Sequence, residues 1–313
     1  MDADLHLQLQ HRLGRVHARQ RIGIEEESSP AVFGKGLNLF HPENWYSSHM
    51  LVRYLLKLSG LYWIGRRNTL RIQVRHHDIL LPQLPDAFEG FTLLHLSDLH
   101  TDMHRPAAEA LIERVSQIDY DLCVLTGDYR ARTYGDIEAS MAGMRSLCTV
   151  LKPPIFGVLG NHDSIRMVPE LERMGVRVLL NESVPIERAD QLIYLAGIDD
   201  AHYYRVDNIE KAADAIPLEA VSILLSHTPE IYLQAAHAGF DAFLCGHTHG
   251  GQICLPGGFP LTLDASCPRR LGAGGWCHNG MRGYTSVGAG TSIVEVRLNC
   301  LPEITLHHLR RGG

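Results

Sequence analysis

Seven side chains able to bind a metal stand in five short stretches: Asp98 and His100 two apart, Asp128 after Gly127, Asn161 after Gly160, His227 alone, and His247 and His249 again two apart. They offer carboxylate, amide and imidazole donors and no thiolate, a mixture that suits Mn²⁺, Fe or Zn²⁺. Seven donors are too many for one tetrahedral ion, so two divalent ions are expected. In an extended backbone residues two apart point to the same face, which would let Asp98 and His100, or His247 and His249, reach one ion together. A single pair of this kind is a weak signal in a chain with 19 histidines. His76, His77, His202, His237, His307 and His308 are accordingly read as surface or packing residues, and Asp199-Asp200 as a strand-end turn. The glycines before Asp128, Asn161 and His247 are equally open to a reading as simple turn formers.

What raises the set above chance is its setting. Each stretch terminates a short apolar run, at 91–96, 122–125, 155–159, 221–225 and 242–245. Runs of this length without alternation read as strands buried on both faces, and ligands bind beyond the carboxyl ends of such strands. The five endings are therefore expected to converge. Between them the periodicity predicts helices near 107–117, 137–151, 168–174 and 229–238, and strands near 176–180 and 192–196, an alternation that argues for an α/β domain. The strictly alternating 70–75 reads as an edge strand, and 284–287, 293–298 and 303–309 as closing strands. The stretch 250–283 is rich in Gly and Pro and lacks periodicity. Structureless segments of that length are usually functional, so Arg269, Arg270, Trp276 and His278 are candidates for a wall or lid of the pocket.

The first 68 residues differ in texture. Positions 1–23 predict a helix with Leu9, Leu13 and Val16 on one face and Arg12, Arg15 and Arg19 on another. A loop is expected over 34–42 and a second helix over 44–64, its apolar residues Leu51, Tyr54, Leu55, Leu58, Leu61 and Tyr62 at helical spacing beside Arg53, Lys57, Arg66 and Arg67. Such a helix suits either an anionic membrane surface or packing on the domain that follows. Residues 1–80 carry 11 Lys+Arg against 7 Asp+Glu, and the remainder 18 against 28. The sign of the larger part disfavours a nucleic-acid scaffold and is consistent with an acidic cavity filled by cations. Seven cysteines without C-x-x-C spacing, the absence of an apolar leader, and the lack of a run of about 18 apolar residues point to a reducing compartment without a spanning helix. A cytoplasmic protein, peripheral at most on the cytoplasmic membrane face, is expected. The division is 1–68 as a basic helical extension and 69–313 as the catalytic domain.

The ordered set Asp98-Leu99-His100, Gly127-Asp128, Gly160-Asn161-His162-Asp163, His227 and Gly246-His247-Thr248-His249 resembles the signature of the calcineurin-like metallophosphoesterases, over roughly residues 70–310. Gly246 to Ile253 and Leu301-Pro302-Glu303-Ile304 look like the bacterial YkuE-like branch, whose relatives include membrane-associated enzymes. The resemblance implies an α/β fold, a two-sheet β-sandwich flanked by helices in four αββα layers, behind a helical amino-terminal extension. It implies two divalent ions, one held by Asp98, His100 and His249, the other by Asn161, His227 and His247, with Asp128 bridging. A hydroxide between the ions would attack a phosphomonoester, phosphodiester or pyrophosphate directly. His162 would face the substrate, its ring oriented by Asp163.

One position departs from the pattern: the family often continues as G-D-x-x-D, and this chain has Ala131 at the last place. Arg130 reads either as a contact to a substrate phosphate or as a solvated surface residue. The basic amphipathic extension makes a lipid-linked phosphate the preferred substrate. The alternatives are a soluble phosphodiesterase acting on a nucleotide or small diester, and a non-catalytic scaffold that keeps the fold. Oligomeric state is left open.

Overall fold

Central strands that are apolar on both sides must be covered on both sides, and two six-stranded sheets solve this by packing face to face. The computed structural model describes residues 3–27 and 46–312. The loop expected over 34–42 and the start of the helix expected over 44–64 lie outside the described residues.

The first sheet runs in the order β1 (Gln73–Leu81), β14 (Glu303–Arg311), β2 (Thr92–Leu96), β3 (Leu122–Leu125), β4 (Ile155–Gly157) and β5 (Val176–Val178). Strands β2 to β5 are mutually parallel, and β14 is antiparallel to β2. The second sheet runs β12 (Gly274–His278), β13 (Met281–Thr285), β9 (Ala242–Cys245), β8 (Ser222–Leu225), β7 (Gln191–Gly197) and β6 (Glu182–Arg188), with β13, β9, β8 and β7 parallel. Between the sheets lies one apolar layer, in which Leu93, Val124, Phe156 and Val158 meet Leu195, Ile223, Leu225 and Leu244. The outer face of the first sheet is covered by α5 (Arg105–Val115), α6 (Glu138–Cys148) and α7 (Val168–Arg173), through Leu111, Met141, Met144 and Leu171. Helices α8 (Ile209–Ala213) and α9 (Tyr232–His237) cover the second through Ala212 and Ala235. The result is the four-layer αββα sandwich. Among the described residues no helix is long and apolar enough to cross a membrane.

Four local expectations change. The first helix is two, α1 (Ala3–Leu13) and α2 (Arg15–Glu27), parted at Gly14 with φ 86°. Leu9, Leu13, Ala18 and Ile22 of this pair are buried in the outer layer with Met167, Val168 and Leu171. Arg12, expected on the face opposite the apolar one, pairs with Glu172 and Glu182 at 2.8 and 2.6 Å. The second helix is also two, α3 (Tyr46–Leu58) and α4 (Leu61–Asn68), broken at Gly60 with φ 75°. The strand expected over 293–298 does not form a ladder beyond one bridge between Ile253 and Leu298. Its alternation is real, but Val294, Val296 and Leu298 are buried against Leu56 and Tyr62 of the α3–α4 hairpin. Finally, 250–283 is not structureless: it holds a small ribbon, β10 (Cys254–Leu255) with β11 (Phe259–Pro260), and then β12 and the start of β13. The glycines of β12 concealed its strand character, since they carry no side chain to register a burial pattern.

Candidate metal centre

Each of β2, β3, β8 and β9 delivers its ligand-type residues just past its carboxyl end, as does the turn after β4, and all seven are buried. Among these seven, two groups form whose donor atoms lie within 4.8 Å of one another, Asp98, His100 and His249, and Asp128, His227 and His247; a third group, His202, His247 and Asp264, borders the second. In the first, Asp98 Oδ1 is 3.4 Å from His249 Nε2, which is 3.2 Å from His100 Nε2. In the second, His227 Nε2 is 3.3 Å from Asp128 Oδ2 and 3.2 Å from His247 Nδ1. Asp128 Oδ2 also lies 3.7 Å from His100 Nε2, so one carboxylate oxygen sits between the groups.

The two-apart pairs do not reach the centre from extended segments. Asp98, His100, Asp128, His247 and His249 all have positive φ, from 40° to 72°. The backbone turns left-handed at each of these residues, a conformation that costs free energy and gathers at functional sites. Close approach supplies the rest of the geometry. A Cβ on Gly246 would overlap Ser97 and the Asp98 carboxylate, and one on Gly160 would overlap Asp128. These glycines are therefore more than turn formers: they let the carboxylates approach the facing backbone.

The donor set fits cations. His227 Nδ1 donates to the Thr126 carbonyl at 2.7 Å and His100 Nδ1 to the Arg130 carbonyl at 2.8 Å, and a carbonyl can only accept. Both rings are thereby fixed with Nε2 toward the centre, the outer-shell arrangement of metal-binding histidines. Asn161 Oδ1 is buried with no hydrogen-bond partner, the kind of lone pair a bound cation satisfies. Burial disfavours charge on His227, but the carboxylates of Asp128 and Asp98 reverse this and raise its pKa to about 10. An imidazole ligates only when neutral, so metal uptake is expected to release a proton and to tighten as pH rises. Calorimetry in buffers of different ionisation enthalpy reads that proton directly, and uptake without proton release would contradict the expectation.

Asp163 has a different task from the one expected. Its carboxylate accepts the backbone N–H groups of Asp128, Tyr129 and Gly160 at 2.7, 2.8 and 2.8 Å, tying together the turns that carry Asp128 and Asn161. The His162 ring meets Thr133 Oγ1 at 3.0 Å through Nδ1, and its Nε2 is 3.9 Å from Asp128 Oδ2. Thr133 orients the ring where Asp163 was expected to. Arg130 is neither solvated nor open to a phosphate: it is buried, and its guanidinium donates to the carbonyls of His162, Thr133 and Gly135. Arg269 is exposed but donates to the carbonyls of Pro260 and Leu261 within its own loop, and Arg270 is exposed on the same turn. Trp276 is not a lid, since its ring meets Phe243 and its N–H donates to Thr285.

His202, which the sequence assigns to the surface or to packing, stands beside the second group. Its ring centroid lies 4.2 Å from that of His247, and its Nδ1 is 3.1 Å from Glu230. Burial works against a charged ring there, but Glu230 outweighs it and raises the pKa to about 9. The signal was present in the chain: β7 also ends in ligand-type residues, at Asp199 and Asp200, and the turn that Asp200 organises carries His202 inward.

A family model described as calcineurin-like phosphoesterase matches residues 91–251. The metallophosphoesterase YkoQ of Bacillus subtilis is 31% identical over 270 residues, covering 82% of this chain and 98% of its own. Phosphodiesterase YaeI of Escherichia coli is 29% identical over 251 residues, covering 75% and 87%, and the metallophosphoesterase YkuE of Bacillus subtilis 28% over 252, covering 76% and 86%.

Proposed function

Because this chain belongs to the calcineurin-like phosphoesterases, enzymes that hydrolyse phosphate esters at a dinuclear divalent metal centre, we propose that its substrate is a lipid-linked phosphate met at an anionic membrane surface. Asp98, His100 and His249 would hold one ion, Asn161, His227 and His247 the other, and Asp128 both. Bound there, the ions would supply positive charge for the phosphoryl oxygens and activate water near neutral pH. The chain's own residues do the remainder. His162, held by Thr133, presents Nε2 toward the space beside Asp128, where it would steady a phosphoryl oxygen or give a proton to the leaving group. His202 packs its ring against that of His247 and so backs the second ion's ligands.

The observation that carries the lipid reading is the outer face of the α3–α4 hairpin. Met50, Leu51, Tyr54, Leu55, Leu58, Leu61, Trp63 and Ile64 are each between 42% and 69% exposed. Soluble proteins rarely leave so many large apolar side chains together in water. Lys57, Arg66, Arg67 and Arg71 are exposed on the same hairpin and just beyond it, the charge that an anionic leaflet attracts. The hairpin is also close to the metal centre. Gly65 O accepts from Arg297 N at 2.9 Å, and the Arg297 guanidinium lies 3.2 Å from His249 Nδ1.

Flotation with vesicles of phosphatidylcholine containing phosphatidylglycerol tests this. The full chain is expected to float, more weakly as salt rises, and Leu51→Ser combined with Leu55→Ser and Trp63→Ser to stay at the bottom. If the full chain does not bind, or hydrolyses small soluble diesters as well as any lipid phosphate, a soluble phosphodiesterase is the better reading, in line with the name of the YaeI relative.

A further inference from the structure

Arg21, on α2 of the amino-terminal extension, is fully buried, although a guanidinium loses its hydration there and persists only when well paired. Apart from Glu25 on the same helix, its partners belong to two loops of the metal centre. Nη2 donates to the Asp163 carbonyl at 2.9 Å, Nε is 3.4 Å from Asp199 Oδ1, and Nη1 is 3.2 Å from Glu25 Oε1. The planar group lies 3.3 Å over the Tyr204 ring. Glu25, one turn further on, accepts the Ile165 N–H at 2.7 Å and the Ser164 hydroxyl at 2.8 Å. His17, one turn earlier, meets the other oxygen of Asp199 at 2.8 Å.

These contacts lead straight to the site. Asp163 is held through its carbonyl by Arg21 and itself holds Asp128 through its carboxylate, so one residue separates α2 from the central carboxylate. Asp199 begins the turn in which Asp200 accepts the N–H groups of His202, Tyr203 and Tyr204, and that turn lays His202 on His247. The 160–165 turn and the 199–204 turn come from different sheets, and α2 spans both.

We propose that Arg21 is a positioning residue of the metal centre, clamping the turn that carries Asn161 and His162 to the turn that carries His202, so that the amino-terminal helix pair is a working part of the active site. Only Nη2 makes a hydrogen bond, to the Asp163 carbonyl; Nε and Nη1 face Asp199 and Glu25 as ion pairs outside hydrogen-bond geometry, and the flat group stacks on Tyr204, a combination of charge and planarity that lysine does not offer. The clamp contributes geometry and makes no contact with substrate. Its loss should therefore appear in kcat and in retention of the ion near Asn161, with little change in KM.

The test uses the full chain, Mn²⁺ and bis-p-nitrophenyl phosphate, so it does not depend on a lipid substrate, though it does rest on the ligand assignment of Asn161 made above. Arg21→Met is expected to lower kcat by roughly 10- to 100-fold with KM within about twofold, to reduce bound Mn²⁺ from two ions per chain toward one, and to speed amide hydrogen exchange across 158–167. Arg21→Lys, which keeps charge but not the fork, should fall between. Should Arg21→Met not fold, Glu25→Gln weakens the Ser164 and Ile165 anchors and removes one of the two carboxylate charges that face Arg21, and is expected to give the same changes at smaller size. Unaltered exchange across 158–167 with two ions retained and kcat within twofold, in whichever variant folds, overturns the proposal even if the melting temperature drops. A wild-type chain that binds fewer than two ions would refute the ligand assignment, while the exchange measurement would still judge the clamp.

Discussion

Asp128→Asn is expected to lower kcat/KM by more than about 10⁴-fold, beyond the range of a lost acid–base group, and to leave the protein with fewer than two tightly bound ions. The reason is the placement of Asp128 Oδ2, within 3.3 to 3.9 Å of nitrogen atoms on His227, His100 and His162. Burial opposes the charge on this carboxylate, yet His227 and His162 hold its pKa well below the usual range, so it stays ionised. Asparagine preserves the shape and removes the charge from the one oxygen that both donor groups share. Metal content by plasma mass spectrometry and steady-state kinetics on one preparation read both effects. Two ions retained with turnover within tenfold of wild type would mean that Asp128 is not shared.

His162→Ala is expected to behave in the opposite way, keeping both ions while kcat falls by roughly 10²- to 10⁴-fold. Its ring nitrogens face Thr133 and the space beside Asp128, and its main chain still donates to Asp128 Oδ1 at 2.9 Å whatever the side chain. The alanine variant therefore keeps the turn. Thr133→Val should show a smaller kcat loss of the same kind, since it removes only the partner of Nδ1. A metal-free His162→Ala protein would reassign His162 as a ligand.

The seven donor residues were legible because each follows an apolar run, and a buried strand is a pattern that a single sequence displays well. How they meet was not legible. Spacing of two suggested extended backbone at Asp98–His100 and His247–His249, whereas the chain turns left-handed there, a feature set by packing against Gly246 and its neighbours rather than by local propensity. Arg21 was invisible for a related reason. On a helical wheel it is one more arginine in a basic helix, and only the meeting of α2 with the Asp163 and Asp199 turns decides that it is buried. The alternation of 293–298 predicted a strand because burial on one side every second residue looks the same whether the cover is a sheet or the α3–α4 hairpin. Arg130 shows the converse limit: a cation beside a phosphate-binding motif invites a substrate contact, but three main-chain carbonyls already occupy its fork.

The left-handed backbone at five donor positions also constrains how this centre can change through mutation. Aspartate and histidine are among the few non-glycine residues that tolerate such dihedrals, so at those positions one residue satisfies two independent demands, the cation's and the main chain's. Exchanging a donor for a bulkier or β-branched residue meets resistance from the torsions before any ion is considered, and glycine, which would relax the torsions, brings no donor. A drift in metal preference is thus easier to obtain from the turns behind the centre, where Thr126, Thr133 and Asp163 set the orientation, than from the donors themselves.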